Sequence, residues 1–216
     1  MGLRPPTAVI PRELAEALDD LGFWFVIGGQ AVRCLCPYRP SRDVDLGVEA
    51  PDDLEALFAR LRERGEVEVL ERAEGTLHMR YGVLDVSLFV LPELAPFAED
   101  RRLNPTGILA TKMHAILDRG ARRDFFDLYV TLQQHALGIA ECLAAVRKVF
   151  GEPVEDSLLL RALTYFDDAE REAALPGEGS EDWHRVKDFF LTRVGRLLVP
   201  PPRPLEIQRR VVDVNE

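Results

Sequence analysis

Cysteine is scarce in this 216-residue sequence: Cys34, Cys36 and Cys142 cannot all pair and form no C-x-x-C, so neither a disulfide framework nor a zinc ribbon is indicated. Lysine is equally rare, since all of the 27 basic residues except Lys112, Lys148 and Lys187 are arginine. That bias singles out a retained lysine as a candidate for a position that needs an ammonium. No apolar run approaches the ~20 residues of a bilayer span, and Met1–Pro6 lacks the apolar stretch of a signal peptide. The expectation is a protein of the reducing cytoplasm with no membrane partner. Positive charge is in deficit, 27 basic against 37 acidic residues for a net charge of −10. Such a surface repels nucleic acid and acidic membrane, so a polyanionic substrate must be gripped by a local basic patch. What is present is apolar material: 47% hydrophobic residues support a real core in one large domain or two modest ones, and exclude collagen-like and wholly disordered chains.

The chain divides near residue 100. Before it, Pro11 to Leu21 has helical spacing with proline in the first turn, and Phe23 to Ile27 is a short apolar run that reads as a buried strand ended by Gly28-Gly29. Gln30 to Leu35 is expected to be helical, Asp43 to Glu49 a strand, and Pro51 to Arg64 an amphipathic helix closed by Gly65. Strands over 67–70, 76–81 and 83–91 follow, the last two as a hairpin around Tyr81-Gly82. After Pro92 strand signals cease, and helices are expected over 106–119, 124–135, 139–150, 155–174 and 181–198. This predicts a sheet domain over 1–100, a helical bundle over 101–199, and a proline-rich extended tail over 200–216.

Chemistry concentrates between Phe23 and Val48. A buried strand that ends in glycines and runs straight into a helix leaves unpaired backbone N–H groups pointing outward, and glycine lets a phosphate approach them closely. Any strand-to-helix turn can use glycine, so this feature alone decides nothing. Fourteen residues beyond Gly29 comes Asp43-Val44-Asp45. In a strand these two carboxylates share a face, and paired hard oxygens suit a divalent cation such as Mg²⁺. The alternative is the wet face of an ordinary strand, although aspartate is depleted in strands. Asp85 sits in the otherwise apolar run Val83–Val90, where a carboxylate is costly unless paired. Either it joins Asp43 and Asp45 at a metal, where it can take the proton of an attacking hydroxyl, or it pairs with a cation such as Arg80. Further on, Lys112, Ile116 and Arg119 share one helical face and Asp124 stands where it can cap the next helix or orient one of these cations. A solvated basic face is the plainer reading of that helix.

At these residues the sequence resembles the nucleotidyltransferase superfamily, whose signature is a glycine pair at a strand–helix turn, then D-x-D on the next strand, then a third aspartate. Gly28-Gly29-Gln30-Ala31 with Arg39-Pro40-Ser41-Arg42-Asp43-Val44-Asp45-Leu46 is similar to the AbiEii-type (MenT-like) toxins, with Gln30 where many nucleotidyltransferases have serine. Lys112 to Leu128 resembles the lysine- and R-D-x-x-D-L-containing motif of the same group. The resemblance implies an α+β fold: a mixed nucleotidyltransferase-type sheet with flanking helices, followed by a C-terminal helical bundle. It implies a nucleotidyltransferase that moves NMP from an NTP to an acceptor hydroxyl. Asp43, Asp45 and Asp85 would hold Mg²⁺ or Mn²⁺, with Asp85 positioning or deprotonating the acceptor and Lys112 and Asp124 completing the catalytic set. Gly28, Gly29, Gln30, Arg39, Ser41, Lys112, Arg119 and Arg123 would bind the nucleotide.

The family further implies a toxin acting on tRNA 3′ ends and countered by a cognate antitoxin. Arg101, Arg102, Lys112, Arg119, Arg122 and Arg123 form the basic stretch near the expected site, with Arg203, Arg209 and Arg210 of the tail as a second source. The acidic balance suits a small cationic acceptor, as in antibiotic nucleotidyltransferases, and a catalytically inactive nucleotide- or partner-binding member is the third alternative. Cys34, Cys36 and Trp24 read as core, Trp183 caps or packs the last helix, and His78, His114, His135 and His184 show no metal-ligand spacing.

Overall fold

A computed structural model describes residues 3–41, 43–151 and 155–198. The expected tail over 200–216 lies outside the described residues, as do its arginines. In chain order the elements are α1 (Arg12–Leu18), β1 (Trp24–Val26), α2 (Gly28–Leu35), β2 (Val44–Val48), α3 (Pro51–Arg64), β3 (Val67–Ala73), β4 (Thr76–Tyr81), β5 (Leu84–Val90), β6 (Ala98–Glu99) and β7 (Arg102–Leu103). The helices α4 (Pro105–Asp118), α5 (Arg122–His135), α6 (Ile139–Phe150), α7 (Asp156–Ala162), α8 (Asp167–Arg171) and α9 (Asp182–Leu198) follow.

The strands form one seven-stranded mixed sheet in the order β3-β4-β5-β2-β1-β7-β6. Its centre is β2, antiparallel to β1 and parallel to β5. Alternation along β2 buries Val44, Leu46 and Val48 completely on one face, which turns Asp43 and Asp45 to the other. Helix α3, with Leu54, Leu57 and Leu61 buried, packs against β2 and β5. Helix α2 packs against β2, β7, α4 and α5, and so joins the sheet to the helical half.

Two strands escaped the sequence pattern. β6 and β7 hold two residues each, too few to show alternation, and their connecting residues Asp100 and Arg101 adopt positive φ of 49° and 62° without the glycine or asparagine that marks such a turn. Arg101 is held there by stacking 4.9 Å from the Trp24 ring and by donating to the Leu18, Asp19 and Leu21 carbonyls. Arg102 pairs with Asp100. Both had been expected to contribute to a basic groove, and the structure spends them elsewhere.

The expected helix over 155–174 is two, α7 and α8. Thr164 donates its hydroxyl to the Leu160 and Arg161 carbonyls at the break, a local bond that competes with the helical ladder. The break turns the Phe166 ring into the core of the bundle, 5.2 Å from Phe125 and 5.8 Å from Trp183. Phe125 also meets Trp183 and Phe190, at 5.9 and 5.8 Å, so one aromatic knot ties α5, α8 and α9.

Candidate active site

Between the sheet face that carries Asp43 and Asp45 and the helix α4 lies a cavity of about 620 Å³. Gly28 opens α2 at its floor with φ of 59°, a conformation glycine adopts without strain. A β-carbon on Gly28 would come within 2.5 Å of Asp45 Oδ2, and one on Gly29 within 2.7 Å of Ser41 Oγ. Both glycines are thus required by close approach: the helix start is pressed against the D-x-D strand on one side and the loop bearing Arg39 and Ser41 on the other. The first N–H groups of α2 have no intrahelical acceptor, which with the helix dipole makes this floor suited to an anion.

Asp45 is flanked by Asp43, and the strand register sets Ser87 of β5 beside it. Burial, and then the charge of Asp43, push the Asp45 carboxyl above its ordinary value, against the opposing pull of Lys112, Arg119 and Arg123. An anion under such repulsion has a use for a bound cation. Mg²⁺ needs one or two carboxylates in addition to water and substrate phosphate, so this pair fits a divalent ion.

An ionic network runs from the cavity wall into the interior. Lys112, 3% exposed, lies 3.2 Å from Asp124 Oδ1 and 2.8 Å from Asp127 Oδ2, and both aspartates are fully buried. Arg119 grips Asp124 through Nε at 2.8 Å and Nη2 at 3.1 Å. Arg39 grips Asp127 through Nη2 at 2.7 Å and Nε at 3.0 Å, and the Tyr38 hydroxyl donates to the same carboxylate at 2.5 Å. Asp127 therefore locks the loop at 38–41 to α5, while Asp124 holds Lys112 of α4 and Arg119 at its C-terminal end. Of the two roles the sequence offers Asp124, helix cap or partner of the neighbouring cations, the structure takes the second: its side chain caps nothing and pairs with Lys112 and Arg119. Nor is the Lys112 face solvated, because α4 turns it against α5.

Burial alone would raise the Asp124 carboxyl, but the Arg119 hydrogen bonds and the charges of Lys112 and Arg119 outweigh it and hold the group below the ordinary aspartate value. A depressed folded-state value contributes stability that is complete above the unfolded value of ~3.9 and lost as pH falls through the folded one. Thermal unfolding followed from pH 7 downward should therefore show Asp124→Asn starting less stable, with a shallower loss than wild type in the acid range. Parallel curves would remove Asp124 from the acid response.

Of the residues expected at the site, Gly28, Gly29, Arg39, Ser41, Asp43, Asp45, Lys112, Arg119 and Arg123 line the one cavity. Asp124 lies behind it. Gln30 is not at the nucleotide side: it is 1% exposed, and its amide donates to the Asp43 and Ser41 carbonyls, at 3.2 and 3.4 Å, while its oxygen accepts from Arg33. It secures the D-x-D loop to α2. Asp85 is not brought to the cavity either. Its carboxylate is 62% exposed and lies 3.7 Å from Arg80, its cross-strand partner. The apolar run around it suggested burial on both faces, yet only Val86 and Leu88 are buried, and Leu84, Phe89 and Val90 remain half-open. No cluster of three His, Cys, Asp or Glu is arranged for a metal among the described residues. Sequence reasoning overlooked Asp127, Tyr38 and the pair His78–Ser87, whose Nδ1 and Oγ are 2.8 Å apart in the cavity wall. For Asp127 the signal was the R-D-x-x-D spacing, which sets two carboxylates one helical turn apart. For His78 and Ser87 there was none, since their adjacency follows from strand register. Cys34 and Cys142 are buried, their thiols pushed up to about 11 and about 12 by desolvation, so neither is a nucleophile at neutral pH.

Residues 83–196, more than half of the chain, match the family described as nucleotidyl transferase AbiEii toxin, type IV toxin–antitoxin system. The chain belongs to this family. In sequence, the uncharacterized protein aq_aa25 of Aquifex aeolicus (strain VF5) is 26% identical over 201 residues, covering 87% of this chain and 95% of the relative. In fold, JHP933 from Helicobacter pylori aligns with a TM-score of 0.53 at 14% identity over 87% of this chain and 90% of its own. ANT(2″)-Ia, solved in complex with adenylyl-2″-tobramycin, aligns with a TM-score of 0.50 at 13% identity over 65% of this chain and 94% of its own. The AbiEii chain is thus a nucleotidyltransferase with the mixed-sheet fold and C-terminal helices expected of one. Among its described residues no helix is long and apolar enough to cross a membrane.

Proposed function

We propose that this AbiEii protein transfers a nucleoside monophosphate from an NTP to the 3′ end of tRNA in the cytoplasm, releasing pyrophosphate, with Asp43 and Asp45 holding Mg²⁺ or Mn²⁺. The observation that carries the reading is the glycine-opened N-terminus of α2 pressed against Asp45, with Lys112, Arg119 and Arg123 lining the same cavity. Held by Asp43 and Asp45, such a cation would supply positive charge against that developing on the donor phosphates. The chain's own contribution is positioning. The α2 N–H groups and Ser41 take the leaving phosphates, and Arg119 and Lys112, each shared with Asp124, present fixed positive charge. Arg123 has no carboxylate partner among the described residues and is the cation with least to give up on contacting a phosphate. Tight association of a strongly acidic chain with tRNA depends on this local patch. As a type IV toxin–antitoxin family member it would be countered by a cognate antitoxin.

A second reading, a small cationic acceptor such as an aminoglycoside, is favoured by Glu93 and Asp118 in the cavity wall and by the net charge of −10. Label transfer from each of the four α-³²P NTPs with Mg²⁺, onto total tRNA and onto aminoglycosides, separates the two. Label on tRNA that disappears in Asp43→Ala is the expected result. Transfer to aminoglycoside alone would select the second reading, and no transfer to either would sink both.

A further inference from the structure

The cavity extends well beyond the groups that a triphosphate would occupy, and the extension has a direction. In the proposed reaction the leaving pyrophosphate lies over the N-terminus of α2, which follows β1, on one side of the D-x-D strand β2. Displacement at phosphorus sets the attacking and leaving oxygens roughly in line. The attacking hydroxyl must then arrive from the opposite side of β2, over β5 and β4, as the strand order β4-β5-β2-β1 dictates.

On that side the wall is ring-lined. His78 of β4 and Phe89 of β5 meet edge-on with centroids 5.6 Å apart, and His114 of α4 and Phe150 of α6 lie tilted at 5.5 Å, all four lining the cavity. Strand register runs from Asp45 to Ser87 to His78, so the imidazole stands two strands from the D-x-D pair, its ring tied to Ser87. Phe89 and Phe150 are half-buried and His114 exposed, which leaves ring surface open toward the space. One ring pair stands on the sheet and the other on the helices, an arrangement suited to a flat ring with polar edges, because any nucleobase offers a π-face for stacking.

We infer that these two ring pairs form the acceptor subsite, in which Phe89 and Phe150, supported by His78 and His114, stack the terminal nucleobase of the acceptor strand beside Asp45. This rests on the nucleotidyltransferase reading above and adds to it which residues receive the acceptor.

The test compares wild type, Asp45→Asn, Phe89→Leu, Phe150→Leu and the ring-preserving Phe89→Tyr and Phe150→Tyr. The leucines retain apolar bulk and remove only the ring. Transfer of α-³²P label to total tRNA gives kcat and the acceptor KM, and equilibrium binding of each NTP with Mg²⁺ is measured separately. The expected result is a rise in acceptor KM of about tenfold or more for either leucine variant, with NTP affinity and kcat near wild type and recovery in the tyrosine variants. Unchanged acceptor KM overturns the assignment. A loss of NTP affinity instead would show that the rings hold the donor base, and transfer to aminoglycoside alone would show that the acceptor is not a stacked base; each overturns it while leaving nucleotidyl transfer intact. Wild type that neither binds NTP nor transfers label would overturn the underlying reading as well, and Asp45→Asn would then be indistinguishable from it.

Discussion

Asp45→Asn should abolish nucleotidyl transfer and at the same time raise the melting temperature of the unliganded protein. The two effects have one source. The carboxylate is held above its ordinary titration range by burial and by Asp43, so keeping it ionised at neutral pH opposes folding. Asparagine retains the shape beside Gly28 and removes the charge. Activity falls because a metal ion in such a site contributes several kcal/mol of charge stabilisation, and each 1.36 kcal/mol is a factor of ten, giving a loss of about 10³-fold or more. Calorimetry in the absence of divalent ions, beside label transfer in their presence, reads both. A melting temperature below wild type would mean that the carboxylate is stabilised by Lys112, Arg119 and Arg123 rather than strained by its surroundings.

Asp127→Ala should be the most destabilising single change at the site. Arg39 loses its carboxylate partner, Lys112 loses the nearer of its two, and the Tyr38 hydroxyl loses its acceptor. Removing one partner of a buried ion pair costs about 3–5 kcal/mol because a charge is left unpaired. For a chain of this size, that lowers the melting temperature by roughly 6–20 °C. The same substitution frees the loop that sets Ser41 against Gly29, so the NTP KM should rise in whatever protein remains folded. The double variant Arg39→Met/Asp127→Leu separates the causes: it removes the ion pair without stranding a charge, and should recover part of the stability while leaving the NTP KM high. Equal destabilisation of single and double variants would shift the weight from charge burial to packing.

Much of the fold was legible because it is written in local periodicity. The buried run before Gly28-Gly29, the two-residue alternation of Val44, Leu46 and Val48, and the apolar stripe of α3 each state an element without reference to the rest of the chain. The glycine pair, the D-x-D and the Lys112–Leu128 segment carried the family likeness for the same reason, since each is contiguous. β6 and β7 were illegible because two-residue strands have no period, and the turn between them is held by Arg101 on Trp24 rather than by glycine. The division of α7 from α8 was illegible because the aromatic contacts of Phe166 are with α5 and α9.

The sequence by itself determined the longer periodic elements, the family and the chemical types gathered near Asp45, because hydrophobic period, backbone permission at glycine and carboxylate spacing are all read over a few residues. Tertiary structure alone decided which of those groups face the cavity. The outward turn of Asp85 to Arg80, the use of Gln30 on backbone carbonyls, the burial of Lys112 between Asp124 and Asp127, and the row Asp45–Ser87–His78 are set by strand register and helix docking. Register moves a side chain from one face to the other with a single-residue shift, and docking changes the dielectric around a charge. Both depend on partners far away in the chain.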